Sequence, residues 1–499
     1  FVSPTIRARP SPYAITAPHA ACALLGWRRM HLPAGWRLRR WWPRRRVRTL
    51  PFASDCSDCG LRWAPPPSPH TPPVSPPLPP GRPPPNEPPL PPQPPPPPAS
   101  PPTAPPQAPP SPVTVPRAPP SSPPEVPPPL PPMAPGVAVV TSMASLSAAV
   151  FATRPGDSLA LFVPEAVRLL LGGAELVLDN ITLTIQSSGS GAILDGQGLS
   201  RHFHLTNGAV LRLGSVTLKN GGSVADGGSL LVESGSSCTL SCSAISNAAA
   251  TSSDEVEVRG GAVCLKEGSS CTLIGSSINS SSAITNAAEN GRVRGGSVFL
   301  TQGSRFRLID STIRGSVAES ARSTIGGSEG GAVFCREGST LDMVGSAIFN
   351  VTNNMAGGFD GGAVRLTALC NANLTGSTIA NVRTTVGGSL STGGALAIQW
   401  GSNADVSDST IANIWMSAGG IVCGGAVSLD RGCNASVTSS TITNLWTSAG
   451  GGLLGGAVAS NVNSEEERCT IIVSDSTIAN LWMSTGRDLQ GGAIRLQIG

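Results

Sequence analysis

Residues 424–446 read GGAVSLDRGCNASVTSSTITNLW, and the order of small, apolar and polar residues in that stretch decides the fold. Two glycines open it, Val427 and Leu429 alternate with polar neighbours, Val437 begins a second run, and Ser440, Ile442 and Asn444 alternate again. A period of two puts every second side chain on one face of an extended strand. The stretch also recurs: doublets of Gly followed by a small and an aliphatic residue begin at Gly227, Gly260, Gly295, Gly330, Gly361, Gly393, Gly424, Gly455 and Gly491, 31 to 36 residues apart. Repetition at that period is the mark of a stacked-coil architecture.

Within the units the spacing is rigid. Seventeen positions after the second Gly stands Ile245, Ile278, Ile313, Ile348, Ile379, Ile411 or Ile442, and length varies after that point. The next unit reaches Ile478 after a five-residue insertion around Ser464 to Arg468, read as an exposed loop. Twelve after the Gly comes an apolar column, Leu240, Leu273, Leu308, Met343, Leu374, Val406 and Val437, with Val473 in the inserted unit. Ser precedes each Ile by two, from Ser243 to Ser476, and Asn usually follows it by two, as at Asn247, Asn350, Asn381, Asn413, Asn444 and Asn480. No single unit can bury its apolar face, whereas coils stacked about 4.8 Å apart pair every strand and bring like columns together. Residues 137–499 are therefore expected to form an all-β, right-handed parallel β-helix, with the Gly doublet supplying a turn closed to other residues and Asn forming a ladder of buried amides at a bend.

The start of this region, SMASLSAAVFATRPGDSLALF from Ser142, reads as a short helix, a turn at Pro155 to Asp157 and a strand, the helix covering the first coil edge. Two irregular coils follow, in GAILDGQGLSRHFHLTNGAVLRLGSVTLKNGG. At the other end GGAIRLQIG opens a new coil, so either the native chain continues or a second copy associates with that edge.

The remainder of the chain differs in composition. Residues 1–64 hold twelve Arg against two acidic residues, with Trp27, Trp36, Trp41 and Trp42 interleaved, and read as a basic, disordered leader. Residues 65–136 hold forty of the 49 Pro, a polyproline II spacer of up to roughly 200 Å at about 3.1 Å per residue. Residues 137–499 carry six more acidic than basic residues, which makes nucleic acid an unlikely partner. Ala20 to Trp27 is shorter than a signal-peptide core, so no signal peptide is evident, and no segment is long enough to span a membrane. Cys56 and Cys59 lack the second pair that a zinc site needs.

Several residues are candidates for chemistry. Trp415, Trp446 and Trp482 each lie four after the Ile and form a column that either binds carbohydrate or stacks on itself. Asp310, Asp408 and Asp475 share a column facing outward, two of them about 10 Å apart by strand spacing, with nothing nearby to raise one pKa for paired-carboxylate catalysis. His202 and His204 read as a surface pair on a strand. Cys238 with Cys271, and Cys433 with Cys469, share columns on adjacent coils and are candidate disulfides or free thiols. Sequons stand at Asn180, Asn279, Asn373, Asn434 and Asn350, the last expected to stay unmodified in its ladder. No metal-binding nonapeptide and no cofactor motif is present.

The capping helix, LDGQGLSRHF and the GG-A-aliphatic units with S-x-I-x-N resemble the pectin-lyase-like right-handed β-helix proteins. The doublets are also similar to the GGA-aliphatic half of polymorphic outer-membrane protein repeats, with IxN in place of the companion FxxN. The Ser-Pro-Pro runs resemble hydroxyproline-rich glycoproteins of plant and green-algal walls, which implies hydroxylation and O-glycosylation. The first resemblance implies lyase, hydrolase, esterase or epimerase chemistry on the outer surface, but the NTD, GHG, RIK and DFIFG motifs of such enzymes are missing and no catalytic residue is identified. The expectation is an extracellular or cell-wall scaffold or adhesin that contacts polysaccharide or matrix protein. The alternative is a divergent polysaccharide lyase or glycoside hydrolase using outward Asp and Arg side chains such as Arg365 and Arg495.

Overall fold

Each Gly doublet turns the chain into a short inward-packing strand, and four strands complete one coil. In the coil that opens at Gly424 these are Val427–Asp430, Asn434–Thr438, Thr441–Ala449 and Leu453–Leu454. The structure is a computed structural model that describes residues 137–496 apart from 254–256, 288–290, 321–326, 356, 388–389 and 462–467. The leader and the Pro-rich spacer lie outside the described residues, as do residues 464–467 of the inserted loop.

Like strands of successive coils pair in parallel and build four sheets of 11, 12, 15 and 8 strands. They are called here the doublet sheet (Leu176–Asp179 to Ile494–Leu496), the second sheet (Ala138–Val139 to Asn434–Thr438 and Thr470–Ser474), the isoleucine sheet and the short sheet before each doublet. The solenoid is right-handed, the hand that parallel crossovers take. Register follows the sequence columns, Ile379 pairing with Ile411, Ile411 with Ile442 and Ile442 with Ile478. From Ile245 to Ile442 the column is buried, and with Leu240, Leu273, Leu308 and Met343 it belongs to one continuous core.

Serine closes the turn between the second and isoleucine sheets. The backbone N–H of Ser243, Ser276, Ser311, Ser346, Ser377, Ser409 and Ser440 each donates to the Oγ of the Ser one coil further on, at 3.0–3.2 Å. Each of these hydroxyls donates in turn to the carbonyl two residues earlier in its own coil, at 2.7–3.0 Å. The ladder thus gives a hydrogen bond to N–H groups that a tight turn would otherwise bury unpaired.

The two glycines of a doublet serve different needs. The first has φ between +53° and +77° in all nine units, a conformation that costs other residues strain. The second does not, but a Cβ on Gly362 would overlap the carbonyl oxygen of Gly394 on the next coil. Only the first glycine is therefore a conformational requirement; the second is one of close approach.

The Asn column differs from expectation. Asn350, Asn381, Asn413, Asn444 and Asn480 have φ of 55–56°, which turns the side chains outward, and they lie exposed at the bend of the isoleucine sheet. They do form a ladder, the Nδ2 of Asn381, Asn413, Asn444 and Asn480 each donating to the Oδ1 one coil back at 3.0–3.1 Å.

At the N-terminal end the helix Met143–Ala152 is capped by Ser142, whose side chain and that of Ser145 exchange bonds with each other's backbone N–H groups. Leu146 and Val150 are buried and join the core, closing the first coil. On the last coil Ile471, Val473, Ile478, Leu481 and Met483 point inward but are only partly covered.

Candidate functional site

Beyond the Asn bend, the second half of each long isoleucine-sheet strand presents alternate residues to solvent. On the last four coils this creates three parallel columns. Asn381, Asn413, Asn444 and Asn480 form one edge; Arg383, Trp415, Trp446 and Trp482 pair in register along the middle; Thr385, Ser417, Ser448 and Ser484 form the other edge. The guanidinium of Arg383 lies 4.6 Å from the Trp415 ring centroid. Trp446 and Trp482 meet at 5.1 Å with their rings 87° apart, and with Asn444, Leu445 and Asn480 they line a recess of about 250 Å³. Both indoles keep much of their surface in solvent, 50% and 63%. Exposed large aromatics in contiguous patches mark interaction surfaces.

A second feature was not foreseen. Where the short sheet meets the doublet sheet, Arg201, Glu175, His204, Glu233, Lys266, Asp226, Arg259, Glu257, Arg294, Glu329, Arg365 and Asp360 form a chain in which base and acid alternate throughout. Representative separations are 3.0 Å for His204 to Glu233, 2.8 Å for Lys266 to Asp226 and 2.7 Å for Arg294 to Glu329. Beneath it lies a small outer core of Leu231, Cys264, Phe299 and Phe334, the outward-facing column of the doublet sheet. Arg259 lies over the Phe299 ring at 5.7 Å and Arg294 over Phe334 at 5.5 Å. Burial would raise the Glu329 carboxyl, but Arg365 and Arg294 on either side outweigh it and hold it below its ordinary value. The one legible signal was the residue just before each doublet, Asp226, Arg259, Arg294, Glu329 and Asp360 in five successive units.

The other candidates fall as follows. Asp310, Asp408 and Asp475 occupy a turn position with φ of 47–50°, which Gly275, Gly345, Gly376, Cys242 and Ser439 fill elsewhere, so Asp is one of several small residues that the turn accepts. Arg365 is buried within the charge chain rather than free at the surface. His202 and His204 are not a surface pair: His202 is fully buried, its Nε2 2.9 Å from the Leu194 carbonyl, and its pKa is pushed down to about 4 by burial. His204 is outside, its pKa raised by its hydrogen bond to Glu175 and further by Glu233.

Cys238 and Cys271 are joined by a disulfide across adjacent strands, Cα atoms 4.5 Å apart. Cys433 and Cys469 are not joined by a disulfide; the Cys433 backbone N–H donates to Cys469 Sγ at 3.4 Å. They stand where other coils have Ser304 or Ser339, and Cys433 Sγ donates to the Asp430 carbonyl at 2.9 Å just as those hydroxyls donate to the carbonyl three residues back. The sulfur of Cys433 thus replaces a turn-closing hydroxyl. Of the sequons, Asn180, Asn373, Asn434 and Asn350 are exposed and Asn279 is half-buried. The amide of Asn279 bonds Ser277, Asn373 bonds Asp342 and Asn434 bonds Asn403, while Asn180 has no side-chain partner among the described residues. No cluster of three or more metal-ligating side chains occurs among the described residues, and no helix there is long and apolar enough to cross a membrane.

No family model matches the chain, and no curated protein matches it. Among solved structures it is similar to the crystal structure of the periplasmic alginate epimerase AlgG, at 9% identity and a TM-score of 0.28, covering 72% of this chain and 84% of that one. At that level no activity carries over.

Proposed function

We propose that this protein is an extracellular or wall-associated scaffold that holds polysaccharide on the outside of its solenoid without cutting it. The observation that carries the reading is the run of Trp415, Trp446 and Trp482 between two polar columns, with Trp446 and Trp482 exposed and Trp415 half-buried against Arg383. Sugar rings have CH faces that pack on indole and hydroxyls that hydrogen-bond to amides and to Ser or Thr. The columns that stack the coils, Ser, Ile and Gly, are accounted for by the fold, the Asp column holds a left-handed turn, and the carboxylates of the charge chain are each engaged in ion pairs with bases. Asn180 is the sequon proposed to carry a glycan, since its amide is exposed and uncommitted.

The test is to incubate the full chain with wall polysaccharides and measure both retention and new chain ends. Retention without cleavage supports the scaffold. Cleavage that Asp408→Ala abolishes overturns it in favour of a lyase or hydrolase.

A further inference from the structure

We infer that the ligand of this platform is a neutral, ribbon-shaped glycan, one whose rings are joined through equatorial bonds, lying parallel to the solenoid axis with successive rings on successive coils. The inference rests on the polysaccharide-binding reading and names its ligand class. Across the platform the order is amide, indole, hydroxyl, with each polar column two residues, roughly 7 Å, from the aromatic one. A ribbon glycan has the same order in cross-section, an apolar face between two hydroxyl-bearing edges. Along the platform the coils rise by about 4.8 Å, comparable to the length of one pyranose ring, so on the three Trp-bearing coils each ring meets an amide, an indole and a hydroxyl in turn.

Hydrogen-bonding capacity fits an uncharged partner. Each ladder Asn donates one N–H to the Oδ1 of the preceding coil, as Asn444 does to Asn413 and Asn480 to Asn444 at 3.0 Å. An amide carries two N–H donors, so one remains on Asn413 and Asn444 to meet a hydroxyl, whereas the Nδ2 of Asn480 also donates to Thr443 Oγ1 at 3.4 Å. Charge fits as well: none of the three columns contains an acid on the last four coils, and their one base, Arg383, is placed on the Trp415 ring. A polyanion would find a single cation along the whole platform, whereas a neutral chain brings no charge to desolvate. The recess between the perpendicular rings of Trp446 and Trp482 seats one ring against a face and an edge at once.

Affinity electrophoresis and pull-down of the full chain test this with cellulose and β-1,4-mannan as neutral ribbons, amylose as a neutral helix and polygalacturonate as a polyanion. The expected result is retention on cellulose and mannan, unchanged between low and high salt, and about tenfold weaker in Trp446→Ala and in Trp482→Ala, a loss of about 1.4 kcal/mol. Trp446→Phe should restore part of it, and far-UV circular dichroism should show all variants folded, since both rings are exposed. Retention on polygalacturonate alone, weakened by salt, overturns this ligand class and leaves the broader reading standing. Retention on cellulose that ignores both Trp replacements overturns the site. No retention on any polysaccharide overturns both.

Discussion

His202 and His204 stand two residues apart and lie on opposite sides of the wall, His202 in the interior against the Leu194 and Lys219 carbonyls and His204 outside between Glu175 and Glu233. Strand parity begins only at Phe203, and His202 occupies the turn position that Ser229 fills on the next coil. The two should therefore respond to pH with opposite sign. With its folded pKa near 4, His202 stays neutral while the unfolded chain takes up a proton below about 6.5. Stability is lost as pH falls through that window, by about 3 kcal/mol at its lower end. His204 has a raised folded pKa, so its contribution is complete below about 6.5 and is lost as pH rises through the folded value. Histidine NMR on the full chain, assigned with His202→Gln and His204→Gln, should show one ring that does not titrate above pH 5 and one that titrates above the ordinary range.

The charge chain predicts an asymmetry between buried and exposed charges. Glu329 lies 2.7 Å from Arg294 and 2.8 Å from Arg365, both nearly covered. Glu329→Gln leaves two buried guanidinium groups short of a partner and should cost about 3 kcal/mol in denaturant unfolding. Arg307→Gln removes an exposed charge with no ion pair among the described residues and should change stability by less than about 0.5 kcal/mol.

The serine ladder predicts that loss of a single hydroxyl matters. Ser377→Ala removes the acceptor of the Ser346 N–H at 3.2 Å and the donor to the Thr375 carbonyl at 3.0 Å. The expected loss is about 1–3 kcal/mol, read as a lower denaturation midpoint with an unchanged slope. An unchanged midpoint would mean that the turn finds another acceptor.

Glycine positions separate by cause. Gly362→Ala places a methyl group on the next coil's carbonyl and should prevent normal stacking, seen as loss of cooperative unfolding. Gly376→Asp should be tolerated within about 1 kcal/mol, because nothing lies within 4 Å of its added Cβ and Asp408 holds the same position at φ 50°.

These cases also show what the sequence could and could not disclose. A stacked fold repeats each contact once per coil, so the Ile, Ser and Gly columns were visible as fixed spacings and led directly to the β-helix, its register and its capping helix. The charge chain was hidden because its members come from different offsets, Glu175 and His204 in irregular coils and Glu233 and Lys266 beyond the doublet strands. Asp408 faces outward as expected, whereas Asn444, expected to be buried, is turned out by a left-handed backbone that reverses where the side chain points. The Trp column was legible in position, but its ring geometry was not, since Trp415 meets Arg383 whereas Trp446 and Trp482 meet edge to face.

The central claim is that the outer aromatic platform holds polysaccharide and that the solenoid does not cut it. The most direct measurement is one reaction mixture of the full chain with a retained polysaccharide, assayed for bound protein and for new chain ends, in parallel with Trp446→Ala. Bound wild-type protein, weaker binding of the variant and no new chain ends in either are predicted. New chain ends, or equal retention of the variant, would contradict it.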